Sequence, residues 1–184
     1  MQREGGKINL RTMVKAGFLV AISIVMTRFA YIMVPLAGVS ALRISFGDVP
    51  LMMSGFMFGP LVGGLTGLAA DIIGFLINPQ GPYHPGFTLS SILWGVIPGI
   101  FMLMYGNNGS YESRFSFKKI LLAVAVTAVV ISLGLNTYWL SNLYGKGFFI
   151  LLPTRVIAAL ISIPLHSIII RYLLKYLKNY ASVS

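Results

Sequence analysis

Along the chain, long apolar runs alternate with short breaks rich in glycine, proline and amides, and the runs have membrane length rather than core length. A stretch of about 20 apolar residues crosses the ~30 Å hydrocarbon layer as a helix, and the pattern predicts about six of them. Span one runs from Met13 to Val34, and the stretch from Pro35 to Ser45 then forms a loop on the outer side. Span two, Phe46 to Phe58, is short and closes at Gly59-Pro60, a tight inner turn in which proline limits helix continuation. Span three takes Leu61 to Ile77, and span four takes Phe87 to Tyr105. Between them lies Asn-Pro-Gln-Gly-Pro-Tyr-His-Pro-Gly, residues 78 to 86, an outer loop stiffened by its prolines. Gly106 to Phe117 reads as a solvated cytoplasmic linker, and spans five and six cover Lys119 to Leu140 and Phe149 to Leu174. The expected fold is an all-α integral membrane protein: residues 1–184 as a single bundle of six transmembrane helices, without a soluble domain.

Composition supports this reading. The chain is 57% hydrophobic and 10% charged, whereas a soluble domain has about 45–50% apolar and about 25% charged residues. The absence of cysteine excludes disulfides, thiolate metal sites and thiol catalysis. A net charge of +10 raises the question of nucleic acid, but the basic residues sit where membrane topology would put them. Arg3, Lys7, Arg11 and Lys15 precede span one, Arg114, Lys118 and Lys119 lie at the central loop, and Arg171, Lys175 and Lys178 follow span six. By the positive-inside rule these residues mark the cytoplasmic side, so both termini are expected there. The first apolar run is long enough to span a membrane, which argues against a cleaved signal peptide. No internal repeat is visible, which weakens any reading as an inverted-repeat transporter complete in one chain.

Four basic residues break the cytoplasmic pattern: Arg28, Arg43, Lys146 and Arg155 fall in or beside the outer half of the bundle. An intramembrane charge costs ~2.5–3.5 kcal/mol on the lenient insertion scale, so it requires a partner, a wet cavity or a route to the interface. The only carboxylates among the spans are Asp48 and Asp71. The three arginines therefore leave room for an anionic ligand, most simply a carboxylate taken in bidentate fashion.

Helical spacing groups Gly63, Gly67, Asp71, Gly74 and Asn78 on one face of span three, where small residues permit close helix contact and turn Asp71 and Asn78 toward protein. Span six carries the stripe Arg155, Ala159, Ser162 and His166, of which His166 reads as a packing residue. Thr88, Ser91, Trp94 and Gly95 fall together on span four, with Trp94 deep enough to floor a pocket. Ser132, Asn136 and Trp139 share a face of span five, which leaves Tyr138 as an interfacial anchor. Residues 135 to 145, Leu-Asn-Thr-Tyr-Trp-Leu-Ser-Asn-Leu-Tyr-Gly, combine amides with hydrogen-bonding aromatics, which suits either a membrane-interface belt or a site for a flat heteroaromatic ligand. His84, in the stiff outer loop, is a contact candidate or simply loop. Gly17 and Ala21 form a small-xxx-small pair on span one that would let another helix approach.

Together, Ala-Asp-Ile-Ile-Gly at 70 to 74, Asn-Pro-Gln-Gly-Pro-Tyr-His-Pro-Gly-Phe-Thr-Leu-Ser at 78 to 90, the 135 to 145 string and Leu-Leu-Pro-Thr-Arg at 151 to 155 resemble substrate-binding S components of energy-coupling factor (ECF) vitamin transporters, most closely the folate-specific FolT-type. The resemblance covers nearly the whole chain. It implies a six-helix S-component fold, folate or reduced folates captured from outside, and delivery driven by a module of one transmembrane coupling protein (EcfT-type) and two ATPase subunits. It further implies that the outer loops Pro35 to Ser45 and Asn78 to Gly86 act as lids, and that Gly17 and Ala21 meet the coupling protein. Gly17 departs mildly from the family's more usual alanine. No GxxxxGK[ST] phosphate loop is present, in keeping with ATP hydrolysis on another subunit.

For such a ligand, Trp94, Trp139 and Tyr144 would stack on the pterin, and Asn78, Asn136 or Asp71 would pair with its edge. Asp71 would alternatively neutralise a buried arginine. Arg28, Arg43 and Arg155 would take the glutamate tail, and the resemblance adds Tyr83, His84 and Phe87 from the 78 to 90 string. An S component for another vitamin, such as riboflavin, pantothenate or a queuosine precursor, is the alternative. A membrane-embedded enzyme acting on lipid or isoprenoid would need clustered acids or histidines, and Asp48, Asp71, His84 and His166 show no ligand spacing. Neither a cofactor nor a metal is expected; the location expected is the bacterial plasma membrane.

Overall fold

A computed structural model describes residues 9–29, 31–36, 39–79, 81–106, 111–145 and 147–181. The first helix, α1, covers Leu10–Arg28 and is capped by the Asn9 side chain, which accepts from the Arg11 N–H. Its end at Arg28 falls six residues before the predicted one. The chain instead forms an antiparallel hairpin, β1 (Tyr31–Leu36) and β2 (Val39–Ser45), where span one was expected to continue and the first outer loop to follow. The physical reason lies in the residues. Tyr-Ile-Met-Val is aromatic and β-branched, which favours a pleated strand, and Pro35 cannot sit inside a helix. The ladder shifts register between Val34 and Leu36, so Pro35 occupies the irregularity, where its missing N–H costs no bond.

Helix α2 (Asp48–Phe58) has 11 residues, and its turns from Val49 through Phe56 are buried by protein. At 1.5 Å per residue such a helix reaches only about 16 Å, short of a bilayer's hydrocarbon thickness. Among the described residues, the helices long and apolar enough to cross are α1, α3 (Pro60–Ile77), α4 (Pro85–Tyr105), the continuous rod Phe117–Tyr144 and Phe148–Leu177. Five of the predicted spans therefore correspond to helices of membrane length, and the shortest lies enclosed among the others. The described part of the central linker contains a short helical turn, α5 (Tyr111–Arg114).

The rod is not uniform. It comprises α6 (Phe117–Ala128), a π-helical segment at Val129–Leu135 and α7 (Asn136–Tyr144), and it ends at Gly145 in the left-handed region, φ 63°. The final helix, α8 (Phe148–Ala181), holds Pro153 and Pro164 within its length.

Helices α2, α3 and α4 meet at glycine. A Cβ placed on Gly63 would lie 2.6 Å from the Gly95 carbonyl oxygen and 2.8 Å from Gly55 Cα, so the three backbones touch directly there. Farther along, Gly67 faces Ser91 and Gly99 faces Pro60, which makes α3 and α4 antiparallel. Ser54 and Thr66 complete the seam with a buried hydroxyl pair at 2.8 Å. Met52, Phe56, Ile120, Val124, Ile131, Ile170 and Leu174 fill the core. By contrast α1 buries only Ser23 and Ile24, and Leu10, Val14, Phe18 and Val25 remain exposed along one side.

Candidate functional site

The half of the bundle that carries the hairpin encloses a cavity of about 760 Å³, bounded by the ends of α1 and α3, the 81–84 loop, the start of α4, the α6 to α7 rod and α8. That volume lies within the ~300–1,000 Å³ typical of small-molecule sites.

One wall is a fixed polar network. Arg28 Nη2 stands 3.9 Å from Asp71 Oδ1, and Arg28 Nη1 donates to the Asn78 carbonyl at 3.2 Å. On the other side of the carboxylate, Thr88 Oγ1 donates to Asp71 Oδ2 at 2.7 Å and lies 3.0 Å from the Tyr83 hydroxyl. Three helices and a loop are joined in this way. Asp71 thus neutralises an arginine, one of the two roles left open by the sequence, and also lines the cavity. Gly74 makes room for the arginine, since a Cβ there would sit 3.1 Å from Arg28 Nε.

Aromatic rings form the second part. Trp94 is buried and lines the cavity, as do Phe87, His84, Tyr83 and Tyr144. His84 is also structural: its Nδ1 accepts from the Gly86 N–H at 3.1 Å and caps α4. Its ring lies 5.7 Å from Phe87 and 5.4 Å from Trp139.

The third part is supplied by the rod and α8. Ser132, Asn136 and Leu140 line the cavity from one side, and Arg155, Ala159, Ser162 and His166 line it from the other. Several of these groups carry unused hydrogen-bonding capacity. Ser90 Oγ, Asn136 Oδ1 and His166 Nε2 are buried without a hydrogen-bond partner, and each belongs to a residue on this cavity. A buried polar atom left unpaired costs ~1–3 kcal/mol, so three around one space mark a place that a polar ligand or water would satisfy.

The structure brings together Arg28, Asp71, Tyr83, His84, Phe87, Trp94, Asn136, Tyr144 and Arg155. Two expected contacts are displaced. Asn78 ends α3 and offers its backbone carbonyl to Arg28 rather than a side chain to the cavity. Trp139 packs over Gly86, where a Cβ would overlap its ring, so it supports the start of α4 from behind instead of forming the wall. The Arg43 side chain lies outside the described residues; only its backbone pairing with Met33 is defined.

His166 is the principal addition. Read from the sequence as a packing residue, it is buried on the cavity wall, set against the Phe46 ring at 5.9 Å and the Ser45 backbone. Its place in the stripe that begins at Arg155 was the available signal. Asp48, Thr27, Ser90 and Ser91 also reach the cavity from buried helix faces. Gly17 and Ala21 are exposed on α1 and do not line this space, and a Cβ on Gly17 would meet no atom within 4 Å.

Residues 7–179 match the sequence profile of the family described as "ECF-type riboflavin transporter, S component". The chain is 40% identical over 164 residues to the folate transporter FolT of Clostridium novyi (strain NT), covering 89% of this chain and 87% of that one. The folate transporter FolT of Leuconostoc mesenteroides subsp. mesenteroides is 27% identical over 164 residues, covering 86% of this chain and 82% of its own. Among solved structures, a crystal structure of FolT bound with folic acid superposes with a TM-score of 0.74 at 30% identity, covering 92% of this chain and 97% of that one. The S component of a bacterial ECF transporter superposes with a TM-score of 0.66 at 26% identity, over 93% and 97% of the two chains. The chain belongs to the S-component family of ECF transporters, a family of membrane transport subunits rather than enzymes.

Proposed function

We propose that this S component is the folate-binding subunit of an ECF transporter in a bacterial plasma membrane. The observation that carries the reading is the composition of the cavity: a buried Trp94, unpaired polar atoms on Asn136, Ser90 and His166, and two arginines within one space of about 760 Å³. Folate has matching parts. Its pterin is flat, with an amide-like edge for Asn136 and faces for aromatic rings, and its glutamate tail is anionic and suits Arg155 or Arg28.

A second reading, riboflavin, is favoured by the family profile. Riboflavin is also flat but has no carboxylate to offer an arginine. The relatives named for folate, and the solved structure that holds folic acid, support the first reading. Thermal shift and calorimetry of the detergent-solubilised protein with folate, 5-formyltetrahydrofolate, riboflavin and pantothenate decide between them. Folates are expected to raise the melting temperature; stabilisation by another vitamin alone overturns the assignment.

Ligand is captured from the extracellular side, where the hairpin and the 81–84 loop border the cavity, and both termini face the cytoplasm with the flanking Lys and Arg. Release is driven by two ATPase subunits through a transmembrane coupling protein of EcfT type. That partner meets α1 at the exposed small pair Gly17 and Ala21. Gly17→Leu or Ala21→Leu should therefore leave folate binding unchanged and abolish uptake in cells that express the energising module. Lost binding in either variant would refute this placement.

A further inference from the structure

The residues through which the rod faces the cavity are Val124, Ala128, Ser132, Asn136, Leu140 and Tyr144, a strict repeat of four, with Leu143 beside the last. A regular α-helix cannot hold such a stripe on one side. Four residues turn it about 40° too far at 3.6 residues per turn, so five steps would carry Tyr144 nearly opposite Val124. The π-helical segment Val129–Leu135 offsets about half of this drift, because its i→i+5 bonds put more residues into each turn and one surplus residue is worth about 100°. The Asn136 N–H bonds to the Ile131 carbonyl, five residues back. Thr137, fully buried, adds a side-chain bond of the same span, Oγ1 to the Ser132 carbonyl at 3.0 Å.

We propose that this segment holds one surplus residue, and that absorbing it in widened turns is what selects the polar stripe of the site. An unbroken α-helix continuing from Val124 and Ala128 would present the apolar Ile131 and Leu135, followed by Trp139. The π segment advances the stripe by one and presents Ser132, Asn136 and Leu140 instead. Val129–Leu135, fastened by Thr137, is thus a positioning element that determines specificity. It touches the ligand little itself and sets which side chains do. The inference deepens the folate reading and rests on it only for the identity of the ligand.

The test exploits an asymmetry. Deleting one residue from an ordinary α-helix turns everything beyond it by about 100°. Deleting the exposed Val130 should instead let the segment close into regular α-helix with Asn136 still facing the cavity. Folate affinity should then stay within about threefold. Inserting one alanine between Val130 and Ile131 adds a second surplus residue, turns α7 away and should lower affinity more than thirtyfold. A readout that needs no ligand comes from the absence of native cysteine. Ser132→Cys and Asn136→Cys should react with a water-soluble maleimide through the cavity, whereas Ile131→Cys and Leu135→Cys should not. The pattern should persist in the Val130 deletion and change in the insertion. A deletion that abolishes the Asn136→Cys labelling, or that fails to fold while the insertion folds, overturns the proposal. If the labelling follows expectation while folate does not bind, the positioning element stands and the ligand assignment falls.

Discussion

The two sides of the cavity are built differently. On the α2 to α4 side, backbones touch at Gly55, Gly63 and Gly95, and the polar wall is a closed network of Arg28, Asp71, Thr88 and Tyr83. On the α6 to α8 side, helices are interrupted by a π segment, Pro153 and Pro164, and two of the three unpaired cavity atoms, on Asn136 and His166, belong there. Direct backbone contact leaves few alternative arrangements, because any side chain at the seam overlaps main chain that cannot rotate away. Widened turns and helix prolines leave carbonyls and side chains more choices. The first side is a template and the second an adjustable jaw. Hydrogen-bonding capacity is saturated largely where the protein is rigid and is left open mainly where a ligand would complete it.

The sharpest way to break the comparison is to place a side chain in the seam. Gly63→Val should abolish folded protein: its Cβ meets the Gly95 carbonyl at 2.6 Å, and separating α3 from α4 exceeds the usual ~1–3 kcal/mol of overpacking. Size-exclusion chromatography in detergent reads this directly. A monodisperse, folate-binding Gly63→Val variant would mean that the seam is not the rigid element.

Next come the ligand-facing groups of the jaw. Asn136→Ala should lower folate affinity by about ten- to a hundredfold, as expected when a buried amide that pairs with a ligand edge is removed, and should leave the melting temperature of the free protein unchanged or slightly raised. The second half of this prediction is the more diagnostic. Asn136 Oδ1 has no partner in the absence of ligand, so truncation relieves an unpaired buried atom. A large loss of stability without ligand would show that Asn136 is part of the scaffold.

Much of the rigid side was legible in the sequence because its punctuation is unambiguous. Gly59-Pro60 fixed the start of α3 to within one residue, the proline-bearing loop 78 to 86 placed that of α4 to within two, and the spacing of Gly63, Gly67, Asp71 and Gly74 identified the buried face of α3. The hairpin was not legible, since Tyr31 to Val34 continues an apolar run that serves a helix and a strand equally well. The π segment left still less trace. No residue type marks it, and 3.6-residue spacing therefore grouped Trp139 with Ser132 and Asn136, whereas the widened turns put Leu140 on the wall and Trp139 behind Gly86. That His166 lines the cavity as well as packing was not legible for a related reason. A histidine on a stripe of small residues looks the same whether it packs or lines a cavity, and only the opposing wall tells the two apart.

Smaller effects refine the picture from both sides. Thr88→Val removes a donor to Asp71 and a partner of Tyr83 at nearly constant shape, and should destabilise the free protein by about 1–3 kcal/mol. Its effect on folate affinity should be smaller than that of Asn136→Ala, because the network shapes the wall and does not need the ligand to satisfy it. If Thr88→Val instead costs affinity as heavily as Asn136→Ala with no change in melting temperature, the Asp71 network is itself a ligand contact and the template is less closed than its geometry indicates.

The smallest effect is expected at Gly134, the glycine of the jaw. It lies exposed in the π segment, its added Cβ would approach only the Val129 carbonyl at 3.8 Å, and its backbone is not left-handed. Alanine there meets ordinary van der Waals space and carries the better helix propensity by ~0.5–1 kcal/mol, so Gly134→Ala should leave stability unchanged or raise it slightly. The same class of substitution that destroys the fold at Gly63 is then silent at Gly134, and thermal unfolding of the two variants side by side gives the contrast in one experiment. A loss of several degrees at Gly134 would mean that the widened turns are held as tightly as the seam. In that case the ability of the segment to absorb a deleted residue, on which the positioning of Asn136 depends, would fail with it.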